Sequence, residues 1–282
     1  MNNSIKKGRV RVVGIDIAKQ SFQLHGVEKS GQIALRKKLS RVKLTPFIAN
    51  LPPCIIGMEA CGGAHHWYRV FTEMGHTVHL IALRFVKPFV KSNKNDAAEA
   101  EAIREAVQRP SMRFVPPKSV EQQDVQSLHR IRGRQVANRT RQSNQIRGLL
   151  LEYGIIIPKG IGKLRKRIPE ILEDAESGLT PTFRKMLSEL YDEIIHPDER
   201  IVSLEKKLEL VSKQNEDCQL LLTIPGIGML TATALVARVG NPWAFKSARE
   251  MATWLGLVPR RHSTGGKPKL LGISEYSTAF RR

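Results

Sequence analysis

The sequence predicts an α/β N-terminal domain over residues 9–117, a long helical spacer of coiled-coil character over 118–216 and a mainly α C-terminal domain over 217–282. Three observations carry this reading. A β-branched apolar run at 10–18 and two further short strands at 21–27 and 32–38 give way to alternating helix and strand patterns. Two later stretches, 120–151 and 183–214, have the length of extended helices, and the second carries apolar residues at three- and four-residue steps. A Pro225-Gly226-Ile227-Gly228 turn then separates two apolar helical segments. With 41% hydrophobic and 26% charged residues the chain supports packed cores and is not a disordered polymer.

Each N-terminal element follows from its local pattern. Residues 10–18 have the composition of a buried strand, and the single acid among them, Asp16, is costly there unless it is paired or bound to metal. Strands at 21–27 and 32–38 flank a Lys29-Ser30-Gly31 turn. A short helix over 44–49 leads into a strand at 54–58 that ends at Glu59, and a helix over 66–74 and a strand over 77–83 continue the alternation. Ala97, Ala98, Ala100, Ala102 and Ala106 mark a helix over 96–108.

Three antiparallel strands followed by helix and strand in alternation is the order of a ribonuclease-H-like domain. In that topology Asp16 and Glu59 sit on neighbouring central strands, while Asp96 and Glu99, spaced i, i+3, share one helix face. Four carboxylates at one end of a sheet supply the hard oxygen ligands that a divalent metal uses in phosphoryl transfer. Taken singly, Glu59 also reads as a strand-end surface charge and Asp96 as a helix N-cap. Their combination is what points to metal.

Charge narrows the partner. The chain holds 46 Lys and Arg against 26 Asp and Glu, a net +20, and the simplest partner for that excess is a phosphate polyanion. The excess is uneven, with +12 over residues 1–120, +7 over 121–170, −6 over 171–220 and +7 over 221–282. The first +7 region is the arginine-rich helix, where Arg130, Arg132, Arg134, Arg139, Arg141 and Arg147 suit phosphate contacts. The acidic region is the second long helix, predicted to break at His196-Pro197-Asp198 and to serve as a spacer. In the last region Gly226 and Gly228 give a helix-hairpin-helix-like turn whose backbone amides can approach a phosphate. Beyond it, Arg260, Arg261 and Lys267 flank a polar loop bearing the hydroxyls of Ser263 and Thr264, groups able to attack phosphorus beside cations.

The sequence has no apolar run near the ~20 residues of a membrane span, and its first ten residues lack the apolar stretch of a signal peptide. Cys54, Cys61 and Cys218 are odd in number and form no Cys-x-x-Cys pair, which fits a reducing, cytoplasmic setting. Cys54, Cys61, His65 and His66 cluster in sequence, but no second ligand pair follows at zinc-finger spacing.

Five segments occur together and in order: Gly14-Ile15-Asp16, Met58-Glu59-Ala60-Cys61-Gly62, Lys94-Asn95-Asp96-Ala97-Ala98-Glu99-Ala100, Ile224-Pro225-Gly226-Ile227-Gly228 and Gly256-Leu257-Val258-Pro259-Arg260-Arg261. In them the chain resembles the DEDD-type transposases of insertion sequence family 110, 1111 subgroup, from about residue 10 to residue 274. The resemblance implies a RuvC-like nuclease domain, a helical region and a C-terminal transposase domain. It implies a metal-binding tetrad of Asp16, Glu59, Asp96 and Glu99 that takes Mg²⁺ or Mn²⁺. Glu99 stands where the family usually has aspartate, and its extra methylene carries the oxygens outward by about 1.5 Å. The family's nucleophilic serine falls within His262-Ser263-Thr264-Gly265, at Ser263 or Thr264, and Ser263 is preferred as the serine present. Residues 275–282 diverge from the family's basic, glycine-containing continuation, as a frameshift or premature stop would leave them.

The resemblance further implies partners: DNA at the element ends and the target, a structured bridge RNA acting as guide, and other copies of the chain in a dimer or tetramer, with no membrane. The expected activity is cutting and rejoining of DNA through the serine and the metal-bound acids. Two other readings compete with it, a stand-alone RuvC-like, Mg²⁺-dependent nuclease or junction resolvase that needs the acids alone, and an inactive truncated protein that keeps only nucleic-acid binding.

Overall fold

A computed structural model describes residues 9–90, 95–264 and 267–273. The chain divides into two compact units, Met1–Ser119 and Val120–Arg282, so the helical segment and the turn motif after it share the second unit.

The first unit is built on a six-stranded sheet. Its strands are β1 (Val12–Ile17), β2 (Ser21–Val27), β3 (Ile33–Ser40), β4 (Ile55–Glu59), β5 (Thr77–Ile81) and the two-residue β6 (Phe114–Val115), in the spatial order β3-β2-β1-β4-β5-β6. β1, β2 and β3 pair antiparallel, β4 and β5 run parallel to β1, and β6 closes the far edge antiparallel. This is a mixed sheet with the central parallel strands expected of a ribonuclease-H-like domain. β6 was not expected, because two residues are too few to show any alternation.

The period of two sorts each strand between faces. Val13 and Ile15 of β1 and Ile56 and Met58 of β4 enter one core, shared with Leu44 and Phe47 of α1 (Arg41–Ala49) and with Trp67 and Phe71 of α2 (Ala64–Glu73). Trp67 anchors it, edge-on to Phe22 and stacked on Phe71, with ring centroids 5.3 Å away in both cases. Beyond β5 the chain forms one helical turn, α3 (Leu83–Val86), before α4 (Asp96–Val107) crosses the opposite face. There Val12, Val27 and Ile81 pack with Val86 and with Ala102, Ile103, Ala106 and Val107.

Two glycines set how closely α4 lies on the sheet. Gly14 and Gly57 are register partners on the central parallel pair. A Cβ at Gly14 would collide with the backbone of Ala100 and Arg104, and one at Gly57 would come within 2.9 Å of the Val107 Cβ. The alanine-rich sequence of α4 is therefore more than a helix preference. Ala100, Ala102 and Ala106 are fully buried where the helix meets the strands.

The second unit is helical through most of its length. α5 (Val120–Leu151), α6 (Ile161–Glu173) and α7 (Pro181–Gln214) pack around Ile146, Leu150, Leu164, Ile168, Phe183, Leu187 and Ile194. Thr180 caps α7 by accepting the Phe183 amide, and Pro181 follows in the first turn, where a missing N–H costs nothing. The break predicted at Pro197 is absent: α7 runs unbroken through it. Ile194 and Ile201 continue the buried stripe on either side, and Asp198, next to the proline, binds Arg139 of α5 at 2.6 Å and also pairs with Arg165 of α6. Tertiary packing on both flanks outweighs the one lost backbone hydrogen bond.

The remaining elements are α8 (Glu216–Leu222), α9 (Met229–Val239), α10 (Ala248–Trp254) and an antiparallel hairpin of β7 (Pro259–Thr264) and β8 (Lys267–Ile273). The hairpin corrects the expected polar loop and adds a two-stranded sheet to the helices of this end of the chain. Its first strand, Pro-Arg-Arg-His-Ser-Thr, has no apolar alternation to reveal it, although the Gly265-Gly266 pair between two extended runs is a recognised hairpin signal. Residues 274–282, which include the stretch 275–282 expected to diverge from the resembled family, lie outside the described residues.

Gly14→Ala should destabilise the first unit by roughly 1–3 kcal/mol or more, since backbone rather than a movable side chain blocks the added methyl. Gly62→Ala, whose Cβ would meet nothing within 4 Å, should change stability little, and chemical denaturation of both variants checks the contrast.

Candidate active site

The glycine pair also places the acids. Asp16 lies two residues beyond Gly14 and Glu59 two beyond Gly57, so both carboxylates emerge on the α4 face, at the C-terminal ends of adjacent parallel strands. α4 begins at the same end. Asn95 caps it, its Oδ1 accepting the Ala98 amide at 2.7 Å, so the cap role considered for Asp96 belongs to its neighbour. Asp96 and Glu99 occupy the first helical turn, where the helix dipole favours negative charge.

The electrostatics unite the four. The Asp16 carboxyl is pushed up to about 6, first by burial and then by the charges of Glu99, Asp96 and Glu59 in that order, while the Ile17 amide pulls it back by hydrogen bonding. Glu99 thus acts on Asp16 more strongly than the other two, so the extra methylene still leaves its charge close to Asp16. Among the described residues no three His, Cys, Asp or Glu side chains converge at ligating distance. The acids form an electrostatic cluster that is looser than a loaded metal centre. Its chemistry fits a hard divalent cation: a half-buried Asp16 on β1 is opposed by the like charges of three carboxylates, one from β4 and two from α4.

Cys61 was missed as a neighbour of this cluster. Its thiol is held above its ordinary range by burial and by Glu59 and Asp16, and its position two residues past Glu59 was the available signal. Cys54 belongs elsewhere. It is buried, its thiol pushed up to about 11 by desolvation, and its amide donates to Nδ1 of His76 at 3.3 Å. His65 accepts the Lys118 amide at 3.2 Å and is driven down to about 4 by burial and by the Lys118 and Arg69 charges.

The second unit sorts the arginines of α5. Arg132 pairs with Glu205 at 2.7 Å and Arg139 with Asp198, both on the antiparallel α7. Arg147 donates to the Gly160 carbonyl at 2.9 Å. Arg130, Arg134 and Arg141 are exposed, and their spacing of four and seven residues keeps them on one face. Gly226 adopts a left-handed φ of 88° in the exposed turn between α8 and α9, and Gly228 caps α9 without a side chain, leaving the first amides of that helix at the surface. Ser263 pairs with Pro268 and Thr264 with Lys267 in the hairpin backbone. Arg260 and Arg261 also lie on β7, and the side chains of all six residues lie outside the described residues.

The acid cluster has a measurable cost. A carboxyl with a folded pKa near 6 against an ordinary 3.8 stabilises the fold while protonated, fully below the lower value, and that contribution is lost as pH rises through the higher one. Asp16→Asn should therefore raise the metal-free melting temperature near neutral pH by a few degrees, with solvent screening limiting the gain, and should change little near pH ~3.8. An added divalent cation should raise the melting temperature of the wild type and not that of this variant, both readable by thermal melts.

Comparison with known proteins shows the family to which the chain is related. A transposase family model of the DEDD IS110 type matches residues 13–155, and the model described as the transposase IS116/IS110/IS902 family matches residues 218–282. The chain is 46% identical over 273 residues, 97% of its length and 75% of the relative's, to the transposase for insertion sequence element IS1111A of Coxiella burnetii. It is 45% identical over 266 residues, 94% of its length and 79% of the relative's, to the transposase for insertion sequence element IS1328 of Yersinia enterocolitica. The chain belongs to the IS110/IS116 family of insertion-sequence transposases, enzymes that cut and rejoin DNA.

Proposed function

We propose that the protein moves its insertion sequence by cutting and rejoining DNA with a serine nucleophile and an acid cluster that holds Mg²⁺ or Mn²⁺, guided by a structured RNA. The observation that carries this reading is Asp16, half-buried at the end of a central strand and opposed by three other carboxylates. Such an arrangement is unfavourable by itself and favourable around a cation. Asp16, Glu59, Asp96 and Glu99 would hold the divalent ion, which would supply Lewis-acid polarisation of a phosphoryl oxygen.

Ser263 is the proposed nucleophile. Its oxygen bonds to phosphorus as the hydroxyl loses its proton, the phosphorus–oxygen bond to the adjoining nucleotide breaks, and that oxygen leaves as a hydroxyl carrying a proton. The covalent phosphoserine conserves the energy of the phosphodiester, and attack by a hydroxyl of a second DNA end reverses the step and joins the strands. Arg130, Arg134 and Arg141 bind backbone phosphates along α5, and the α9 amides beside Gly226 and Gly228 take another. Arg260, Arg261 and Lys267 bind DNA near the nucleophile.

The net +20 supports binding of guide RNA as well as DNA. Self-association into a dimer or tetramer is supported by α7, where Val202 and Leu210 are 50% and 59% exposed. No helix among the described residues is long and apolar enough to cross a membrane, and the proposed site of action is the cytoplasm.

Suicide DNA substrates should trap a covalent protein–DNA adduct with the wild type and none with Ser263→Ala. Adducts that persist in Ser263→Ala and disappear in Thr264→Ala would move the nucleophile by one residue, and adducts in both would refute a hydroxyl in this segment.

A further inference from the structure

The sheet face that carries Asp16 continues toward its β3 edge with opposite charge. Asp16 is the register partner of Gln23, and Gln23 of Lys38, so these residues form one row across β1, β2 and β3. The next row holds Gly14, His25 and Arg36. Where α4 leaves the sheet, a cavity of about 450 Å³ opens between these strands and the start of the helix, lined by Gln23, His25, Arg36, Lys38, Asn95 and Glu101. Arg36 and Lys38 are exposed at its rim. Arg36 stands 3.8 Å from Glu101 and the buried His25 stands 3.9 Å from the same carboxylate.

The lining selects its ligand by charge and shape. Two cations against one carboxylate leave the rim positive, which disfavours a second metal ion, and the polar side chains give an apolar ligand little to bury against. A guanidinium, an ammonium and a carboxamide together offer donors to a tetrahedral oxyanion, and arginine suits phosphate bidentately. Position adds to this. Strands lie about 4.8 Å apart, so Lys38 is roughly 10 Å across the sheet from Asp16, about three nucleotides at the ~3.4 Å rise of a stacked strand.

We propose that this cavity is a phosphate subsite that holds the backbone of the reacting DNA strand about three nucleotides from the phosphodiester at the acid cluster. Gln23, Arg36 and Lys38 are positioning residues, gripping the strand without touching the reacting atoms. The inference rests on the proposed DNA cleavage for which phosphate occupies the subsite, whereas the presence of the subsite is tested by binding alone.

The test measures binding of a fluorescent single-stranded DNA oligonucleotide to the full-length protein by anisotropy across a KCl series. The Arg36→Ala/Lys38→Ala double variant should bind more weakly, and its slope of log K against log salt should fall by about 1.4, two contacts at ~0.7 each. Lys43→Ala, an exposed charge on α1 across the sheet, should leave the slope unchanged. Thermal melts confirm that the variants fold. An unaltered slope in the double variant, or an equal fall in Lys43→Ala, overturns the subsite. Nicking assays with Mg²⁺ on the same samples separate the two claims: a slope loss with no nicking by the wild type overturns the cleavage reading and leaves the subsite standing.

Discussion

The contact between α4 and the paired glycines of β1 and β4 is the constraint on which the first unit depends. Gly14 lets the helix backbone descend to β1, Gly57 leaves room for the Val107 side chain on β4, and the two glycines are partners in register. The same geometry explains why four acids gather. Two residues past each glycine, on the same face, stand Asp16 and Glu59, and the helix that lies on the glycines starts with Asp96 and Glu99. A structural requirement for close packing thus becomes the means of concentrating negative charge at one end of the sheet. Burial and repulsion, which push Asp16 up to about 6, are the cost of that concentration, and a divalent cation is what relieves it.

Charge is handled differently in the second unit. The acidic stretch reads as a spacer in the sequence, yet its helix α7 lies antiparallel to the arginine-rich α5 and neutralises part of it through Glu205 and Asp198. These pairs are partly buried and hydrogen-bonded, so they count for more than surface ion pairs. Removing one partner leaves the other charge poorly compensated. The exposed basic face is accordingly narrower than composition implies, running through Arg130, Arg134 and Arg141. An inward arginine and an outward one look alike in a sequence whose helix is polar on nearly every side.

What could be read in advance follows the strength of local pattern. β1 and β4 were legible because buried strands are continuous apolar runs, and Asp16 stood out as the single acid within one. The functional meaning of Gly14 and Gly57 was not legible, since it depends on a register that no single segment encodes. Pro197 misled because the helix-breaking tendency of proline is local, whereas the stripe from Phe183 to Leu208 that carries α7 through it is tertiary. The β7–β8 hairpin escaped notice because its first strand is wholly polar after Pro259, and the Gly-Gly signal was read as an open loop. The cap at Asn95 rather than Asp96 is a one-residue difference that frees the second carboxylate to join the cluster.

The central claim is that acids from separate elements act as one metal site because α4 sits on the glycine pair. Mn²⁺ titration of the full-length protein followed by electron paramagnetic resonance tests it most directly, comparing the wild type with Glu59→Gln on β4 and Glu99→Gln on α4. The account predicts one saturable Mn²⁺ site that both substitutions weaken at least tenfold, as loss of a shared ligand requires. Mn²⁺ affinity that falls in Glu59→Gln and is unchanged in Glu99→Gln would contradict it, because the helix would then contribute nothing to the site.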